Sequence, residues 1–484
     1  MRLHKYPFMA LPLAVSVLAA LLASCAGAPK TKPEVPPRKP PSITPSAPPT
    51  PAPNPTIVAV QSAKSELASG DAKAAAESLG KLAAANPSDL ELKRLQASAL
   101  VSAGKLSDAR SLLDGILAGH PNDVDTLTMA AEVARFQNDG NGRKAYLNAA
   151  IATSPERASV QVAWGEYWLD QHDWAAAQTA FSKASAVDRS NADAFKGLGQ
   201  ALYRLGKYDD AEKALDTALV LDPNDAYTWS DRSKVRYQLG MYADSEADLG
   251  QAIAKAPNAA WPYIDRARFR IDTKRYAEAA ADLDDAVKAE PDYFLPYLYR
   301  AAIFVRTGKD AEALADYDMV VKLQPDYWYA YESAGLCAFR LARWHTAGIR
   351  FEKAYASAPT RSDYAVLGAI ALLRAGDLAQ GRELAGKAAA KLDRDAEHSR
   401  WTILRLFQDM NDLTTDLEIG AQSEQKLDLR AEMLFSLGEY WIIRGKPDLG
   451  AKYLQLAQDL NRQGSIQYSL IVAELARSGS QASH

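Results

Sequence analysis

A ladder of helix-stopping residues runs through most of the chain at a spacing of 34: Pro87, Pro121, Pro155, Arg189, Pro223, Pro257, Pro291, Pro325 and Pro359. Proline lacks the N–H that a helix interior needs, and its ring clashes with the turn before it, so each proline rung ends a helix. A fixed period of this length marks a repeat architecture, in which every repeat buries its apolar face on its neighbours. The 484 residues therefore do not count out domains of ordinary size.

With each rung as position 32, repeats start at Thr56, Leu90, Val124, Ala158, Ala192, Ala226, Ala260, Phe294, Trp328 and Ser362. The fifth shows the pattern most clearly. Gly199 and Ala211 stand at positions 8 and 20, Tyr203 at 12, Gly206 at 15, Tyr208 at 17 and Ala218 at 27, before Leu221-Asp222-Pro223 closes it. Small residues at 8 and 20 let two helices approach, and glycine at 15 permits a tight turn between them. Ala109, Ala177, Ala279, Ala313 and Ala347 repeat position 20 elsewhere.

These positions closely resemble the tetratricopeptide repeat consensus. The resemblance implies an all-α fold, a right-handed superhelical α-solenoid of about twelve helix pairs with a C-terminal capping helix. Two regions depart from the pattern. The third repeat has Asn138-Asp139-Gly140-Asn141-Gly142-Arg143 at its turn, which predicts a splayed pair or a late second helix. That run lacks the ligand spacing and closing glutamate of a calcium loop. After Asp395 the ladder fades, returning at Ala431 with Gly438, Gly445, Gly450 and Ala457. Ser465 to Arg477 reads as the capping helix.

The N-terminus carries an address. Arg2, His4 and Lys5 precede an apolar run from Phe8 to Leu22, which is too short to stay as a membrane span. It ends in Leu22-Ala23-Ser24-Cys25, resembling the bacterial lipobox, which implies acyl chains on Cys25. Ala26 follows where an aspartate would retain a lipoprotein at the inner membrane, so the outer membrane facing the periplasm is the expected location. Between Pro29 and Thr56 stand twelve prolines, an extended tether that reaches roughly 85 Å at about 3.1 Å per residue. The resulting division is signal peptide 1–24, lipidated cysteine and tether 25–56, ten repeats 57–395, a degenerate and a final repeat 396–464, and capping helix with tail 465–484.

Charge excludes some partners. The 56 basic and 60 acidic residues nearly balance, and no long basic block occurs, which argues against nucleic acid. Position 7 is Arg232, Arg266 and Arg300 in repeats six to eight, and position 23 is Asp248, Asp282 and Asp316. Where position 7 is Leu198, Trp164 or Ala334, position 23 is not acidic. This covariation predicts ion pairs between the two helices of a repeat. The six histidines show no metal-binding spacing, and Cys337 sits among Leu336, Ala338 and Phe339, where a small buried residue is expected. Gly206-Lys207 is followed by Tyr208 where a phosphate loop needs Ser or Thr. No metal, cofactor or catalytic constellation is expected.

Binding is the expected activity. In tetratricopeptide proteins positions 2, 5, 9 and 12 of the first helix line a groove, one helical stripe. The stripe is polar in repeats two to five. It becomes apolar and aromatic further on, with Tyr227, Tyr237, Trp261, Ile264, Leu295, Leu298, Tyr329 and Phe339 beside Lys234 and Arg268. Such a surface suits an amphipathic helix or an extended peptide. The carboxylate clamp of chaperone-binding relatives is not matched, since Gln200, Asp231, Trp261 and Asp265 depart from it. The reading is a membrane-anchored scaffold of the cell envelope, docking protein or peptide partners of assembly, secretion or cell-wall machinery. The alternative is a carrier of a small hydrophobic ligand. The oligomeric state is not specified by the sequence.

Overall fold

The computed structural model describes residues 55–410, 413–460, 462–463 and 465–481. The signal peptide, Cys25 and most of the tether lie outside these residues. Those described form helices joined by short turns, without a strand. They fall into two compact units divided between Ser245 and Glu246.

The first unit stacks six first helices on their partners. These are α1 (Pro55–Ala68) with α2 (Ala72–Ala85), α3 (Leu90–Ser102) with α4 (Leu106–Gly119), and α5 (Val124–Phe136) with α6 (Gly140–Thr153). After them come α7 (Ala158–Asp170) with α8 (Trp174–Val187), α9 (Ala192–Arg204) with α10 (Tyr208–Leu221), and α11 (Ala226–Gln238) with α12 (Tyr242–Lys255), which carries the division.

The second unit continues with α13 (Ala260–Asp272) and α14 (Tyr276–Ala289), α15 (Phe294–Arg306) and α16 (Asp310–Leu323), and α17 (Trp328–Arg340) and α18 (Trp344–Ser357). Next are α19 (Ser362–Ala375) and α20 (Leu378–Ala389), α21 (His398–Asp409) and α22 (Thr414–Ser423), and α23 (Leu427–Ile443) and α24 (Pro447–Asp459). The last helix is α25 (Ile466–Gln481).

Position 15 is left-handed in every repeat. Gly70, Gly104, Gly206, Gly240, Gly308, Gly376 and Gly445 occupy it, and so do Asn138, His172, Lys274, Ala342 and Met410, with φ between 51° and 89°. The geometry closes the first helix by turning its chain back. In the second repeat the Lys105 N–H donates to the Leu100 carbonyl at 2.8 Å, the bond that a left-handed residue makes possible. Met410 shows that the turn survives in the eleventh repeat, where the sequence signal fades. The next left-handed residue is Gly445, one residue beyond the regular period.

The third repeat corrects the expectation of a displaced second helix. α6 starts at Gly140, position 17, the place where α4, α8 and α10 start in their repeats. Asn138 takes the left-handed turn at φ 57°, and the Asp139 carboxylate accepts from the Gly142 N–H at 2.8 Å to cap the helix. Arg143 replaces the usual alanine. Its buried guanidinium reaches Asp170 at 2.6 Å and lies over the Tyr167 ring.

Close helix approach explains the small residues. A Cβ added to Gly199 would lie 2.5 Å from Leu215, and one on Gly197 would lie 2.2 Å from the Phe181 ring. Both distances are inside van der Waals contact, so glycine sets how near these helices pack.

Candidate functional site

In the first unit the residues of the stripe are well partnered. Lys196 reaches Asp193 at 2.8 Å and Asp225 at 3.2 Å, and Gln200 donates to Asp231 at 2.6 Å. Lys234 also pairs with Asp231, at 2.9 Å. Tyr227 is exposed, while Tyr237 is half-buried with its ring 5.3 Å from Tyr242.

The second unit presents a different surface. Trp261, Leu295 and Leu298 are half-buried, Ile264 is buried, and Arg268 is exposed with Asp265 at 3.8 Å. Tyr329 keeps 42% of its surface and stacks on Trp328 with ring centroids 3.6 Å apart. Tyr327 lies 6.0 Å from Tyr329 and 5.7 Å from Phe294, which itself lies 6.1 Å from Tyr293. Burial raises the Tyr293 phenol, assisted by the charges of Glu290 and Asp265 and by Tyr299. The Tyr327 phenol is raised by burial and by Tyr299 and Tyr329, which joins these rings into one cluster.

Part of that cluster stands where four earlier repeats carry a helix cap. Position 34 is Asp89, Asp123, Asn191 and Asp225 in earlier repeats, and each side chain accepts a backbone N–H of the helix that follows. Tyr293 and Tyr327 occupy the same place ahead of α15 and α17 and form no such bond. Arg157, Ala259 and Arg361 stand at this place without capping as well, so what sets Tyr293 and Tyr327 apart is the aromatic ring they bring to the surface cluster.

Arginine and carboxylate side chains tie the helices together. Arg266 reaches Asp282 at 2.7 Å and Arg300 reaches Asp316 at 2.6 Å, bridging the two helices of a repeat. Each repeat also borrows from the one before it. Arg232 meets Asp216 at 2.6 Å, and Arg300 meets Asp284 at 2.5 Å. Arg236 meets Glu212 at 2.8 Å, while Arg270 joins Glu246 at 3.0 Å and Asp282 at 2.8 Å. The links through position 11 were not anticipated from sequence, although Arg236 and Arg270 stand 34 apart. Burial raises the Asp316 carboxyl, against the pull of Arg300.

Toward the C-terminus the first-helix face closes. Phe339 is fully buried, edge-on to Trp344 and 6.3 Å from Phe435 of α23. It is therefore core at the end of the stripe, whereas Tyr329 stays at the surface. α23 buries ten residues in succession, Ala431 to Tyr440, including Glu432 and Glu439. Arg374 of α19 reaches Glu439 at 2.7 Å and Glu474 of α25 at 3.4 Å. Burial pushes the Glu432 carboxyl up to about 7, with Arg400 opposing and Asp363 adding to the rise. Glu439 is raised too, by burial and by the Glu474 charge. Cys337 is buried, and burial pushes its thiol up to about 12, leaving it a packing residue.

Among the described residues no three potential ligands gather around a metal position, and no helix is long and apolar enough to cross a membrane. Residues 66–132, 162–226 and 264–327 match models described as tetratricopeptide repeat. No curated protein sequence matches the chain. Solved structures with a similar fold include a tetratricopeptide repeat protein from Parabacteroides merdae, at 18% identity and a TM-score of 0.41, covering 51% of this chain and 98% of that one. Another is pilF of Pseudomonas aeruginosa, at 17% identity and a TM-score of 0.37, covering 43% and 94%. YrrB, a tetratricopeptide protein with an unusual peptide-binding site, has 17% identity and a TM-score of 0.30, covering 38% and 95%. The chain is thus a helical-repeat protein that carries tetratricopeptide repeats in the three matched stretches and continues their helix-pair geometry beyond them.

Proposed function

We propose that this protein is a lipid-anchored scaffold of the bacterial envelope, and that the aromatic surface of its second unit docks a protein or peptide partner. One observation carries the reading. Tyr293, Phe294 and Tyr327 form a chain of neighbouring rings that runs to an exposed Tyr329 stacked on Trp328. Tyrosine and tryptophan held in this way offer flat apolar faces at low entropic cost, with polar tips at the rim, as binding hot spots do. Tetratricopeptide folds are typically non-catalytic scaffolds, which agrees with a role in docking. Anchoring at Cys25 with a proline-rich tether would hold this surface away from the membrane.

Cross-linking in intact cells followed by mass spectrometry tests the site, comparing the parent chain with Trp261→Ala and Tyr329→Ala. Loss of one partner set in both variants, with folding retained, is expected. An unchanged partner set would remove the assignment.

A further inference from the structure

The aromatic surface of the second unit runs into a carboxylate that has no cation. Trp328 lies 6.2 Å from the ring of Tyr364 on α19, and the hydroxyl of that buried tyrosine donates to Glu332 of α17 at 2.7 Å. Glu332 is half-buried and stands three residues beyond the exposed Tyr329, at positions 5 and 2 of the same stripe. Side chains so spaced are neighbours on a helix surface, with Cβ atoms about 5–6 Å apart. Among the described residues Glu332 forms no ion pair, and the Tyr364 hydroxyl is its hydrogen-bond donor. Burial raises the Glu332 carboxyl, and the charge of Asp363 adds to the rise against the pull of Tyr364 and Arg361.

The cations nearby are already committed. Arg361 forks onto the buried Asp363 at 2.6 and 2.9 Å and lies over the Tyr364 ring at 4.4 Å. On α23 the buried Glu432 receives Arg400 of α21 through Oε2 alone, at 3.4 and 3.5 Å, and its Oε1 has no hydrogen-bond partner. Asp363 is close enough to hinder the ionisation of Glu432. Three carboxylates, Glu332, Asp363 and Glu432, thus share two guanidinium groups, one held bidentately and one at the limit of a hydrogen bond. A carboxylate drawn out of water is unfavourable unless a cation meets it, so this group is short of one positive charge.

We propose that Glu332 is the seat of a basic side chain of the docked partner, an extended peptide that sets lysine or arginine at Glu332 and an aromatic or leucine side chain, two residues away, on the Trp328 and Tyr329 face. The inference rests on the docking surface proposed above and names what that surface selects. Alternate residues of an extended peptide lie on one side, roughly 7 Å apart, close to the spacing of neighbouring stripe positions. The methylenes of the basic side chain cover the Tyr329 ring while its charge supplies the missing cation. An acidic segment is turned away by the same excess of negative charge.

The test selects short peptides from a random displayed library on the immobilised full chain and measures each against the parent, Tyr329→Ala, Glu332→Gln and Glu332→Lys. Glutamine keeps the shape of the side chain and an acceptor for the Tyr364 hydroxyl, so Glu332→Gln is expected to melt with the parent. Peptides that need Tyr329 are expected to carry lysine or arginine two places from an aromatic residue or leucine, and to bind Glu332→Gln at least tenfold more weakly. Their affinity should also fall as NaCl is raised from about 50 to about 500 mM. Selection on Glu332→Lys should return aspartate or glutamate at the same place in the peptide. If peptides that need Tyr329 bind Glu332→Gln as tightly as the parent, or carry no basic residue, the inference is overturned while the docking surface stands. If no selected peptide needs Tyr329, both are overturned.

Discussion

At the scale of single residues, the recurring turn sets the sharpest demand. Position 15 requires a left-handed backbone, which costs a residue with a Cβ roughly 1–2 kcal/mol relative to glycine. Ala342 bears that cost at φ 55°, with no side-chain polar group to compensate. Ala342→Gly is expected to stabilise the second unit by about 1 kcal/mol in denaturant melts, net of the greater freedom that glycine gives the unfolded chain. Glu432 sets a second demand. Its carboxyl sits near 7 in the fold against 4.5 unperturbed, so the folded state holds the proton more tightly. Stability should therefore fall as pH rises from about 4.5 to about 7 and level off above, by on the order of 3 kcal/mol at most. Melts of the parent chain and Glu432→Gln across pH 5 to 8 check this, since the glutamine variant should lose that part of the slope.

At the scale of helices, the pattern of charge explains how neighbouring pairs are held in register. Asp282 is almost wholly buried and receives both Arg266 and Arg270. Replacing it with alanine strands the Arg266 guanidinium and leaves Arg270 to Glu246, and Asp282→Ala is expected to cost about 3 to 5 kcal/mol in denaturant melts. A cost below half of that would mean that water reaches the site when the carboxylate is gone. The position 7 and 23 pairing could be read from sequence, because Arg266 and Arg300 change together with Asp282 and Asp316. The links from Arg270 to Glu246 and from Arg300 to Asp284 could not, since they join different repeats and leave no covariation inside one. Phe339 was illegible for a related reason. It packs edge-on to Trp344 of the next helix and also meets Phe435, nearly a hundred residues away, a neighbour that the pattern of its own repeat does not show. The left-handed Met410 likewise hides in a stretch whose glycine is missing.

At the scale of the whole molecule, the proline ladder made the fold readable, because it aligned every repeat with the others. It also placed the aromatic change at Tyr227 to Phe339. It did not indicate that α23 and α25 pack against the end of α17. The anchor reading belongs to this scale as well. On the proposed anchoring, Cys25→Ala is expected to move the protein from the membrane to the soluble fraction, with no change in thermal melting. Fractionation with metabolic labelling by a palmitate analogue checks both parts.

The contact between Arg374 and Glu474 spans 100 residues. Stacked repeats ordinarily fold by short-range contacts and can start anywhere. In a chain that emerges from its N-terminus, the first unit can therefore finish while synthesis is still under way. The second cannot close until its final helix arrives, and through that interval Trp344 and the end of α17 wait without Arg477, and Arg374 without Glu474. A chaperone that acts on this protein would have its longest opportunity there, and a chain cut short before residue 466 would carry that exposed surface permanently.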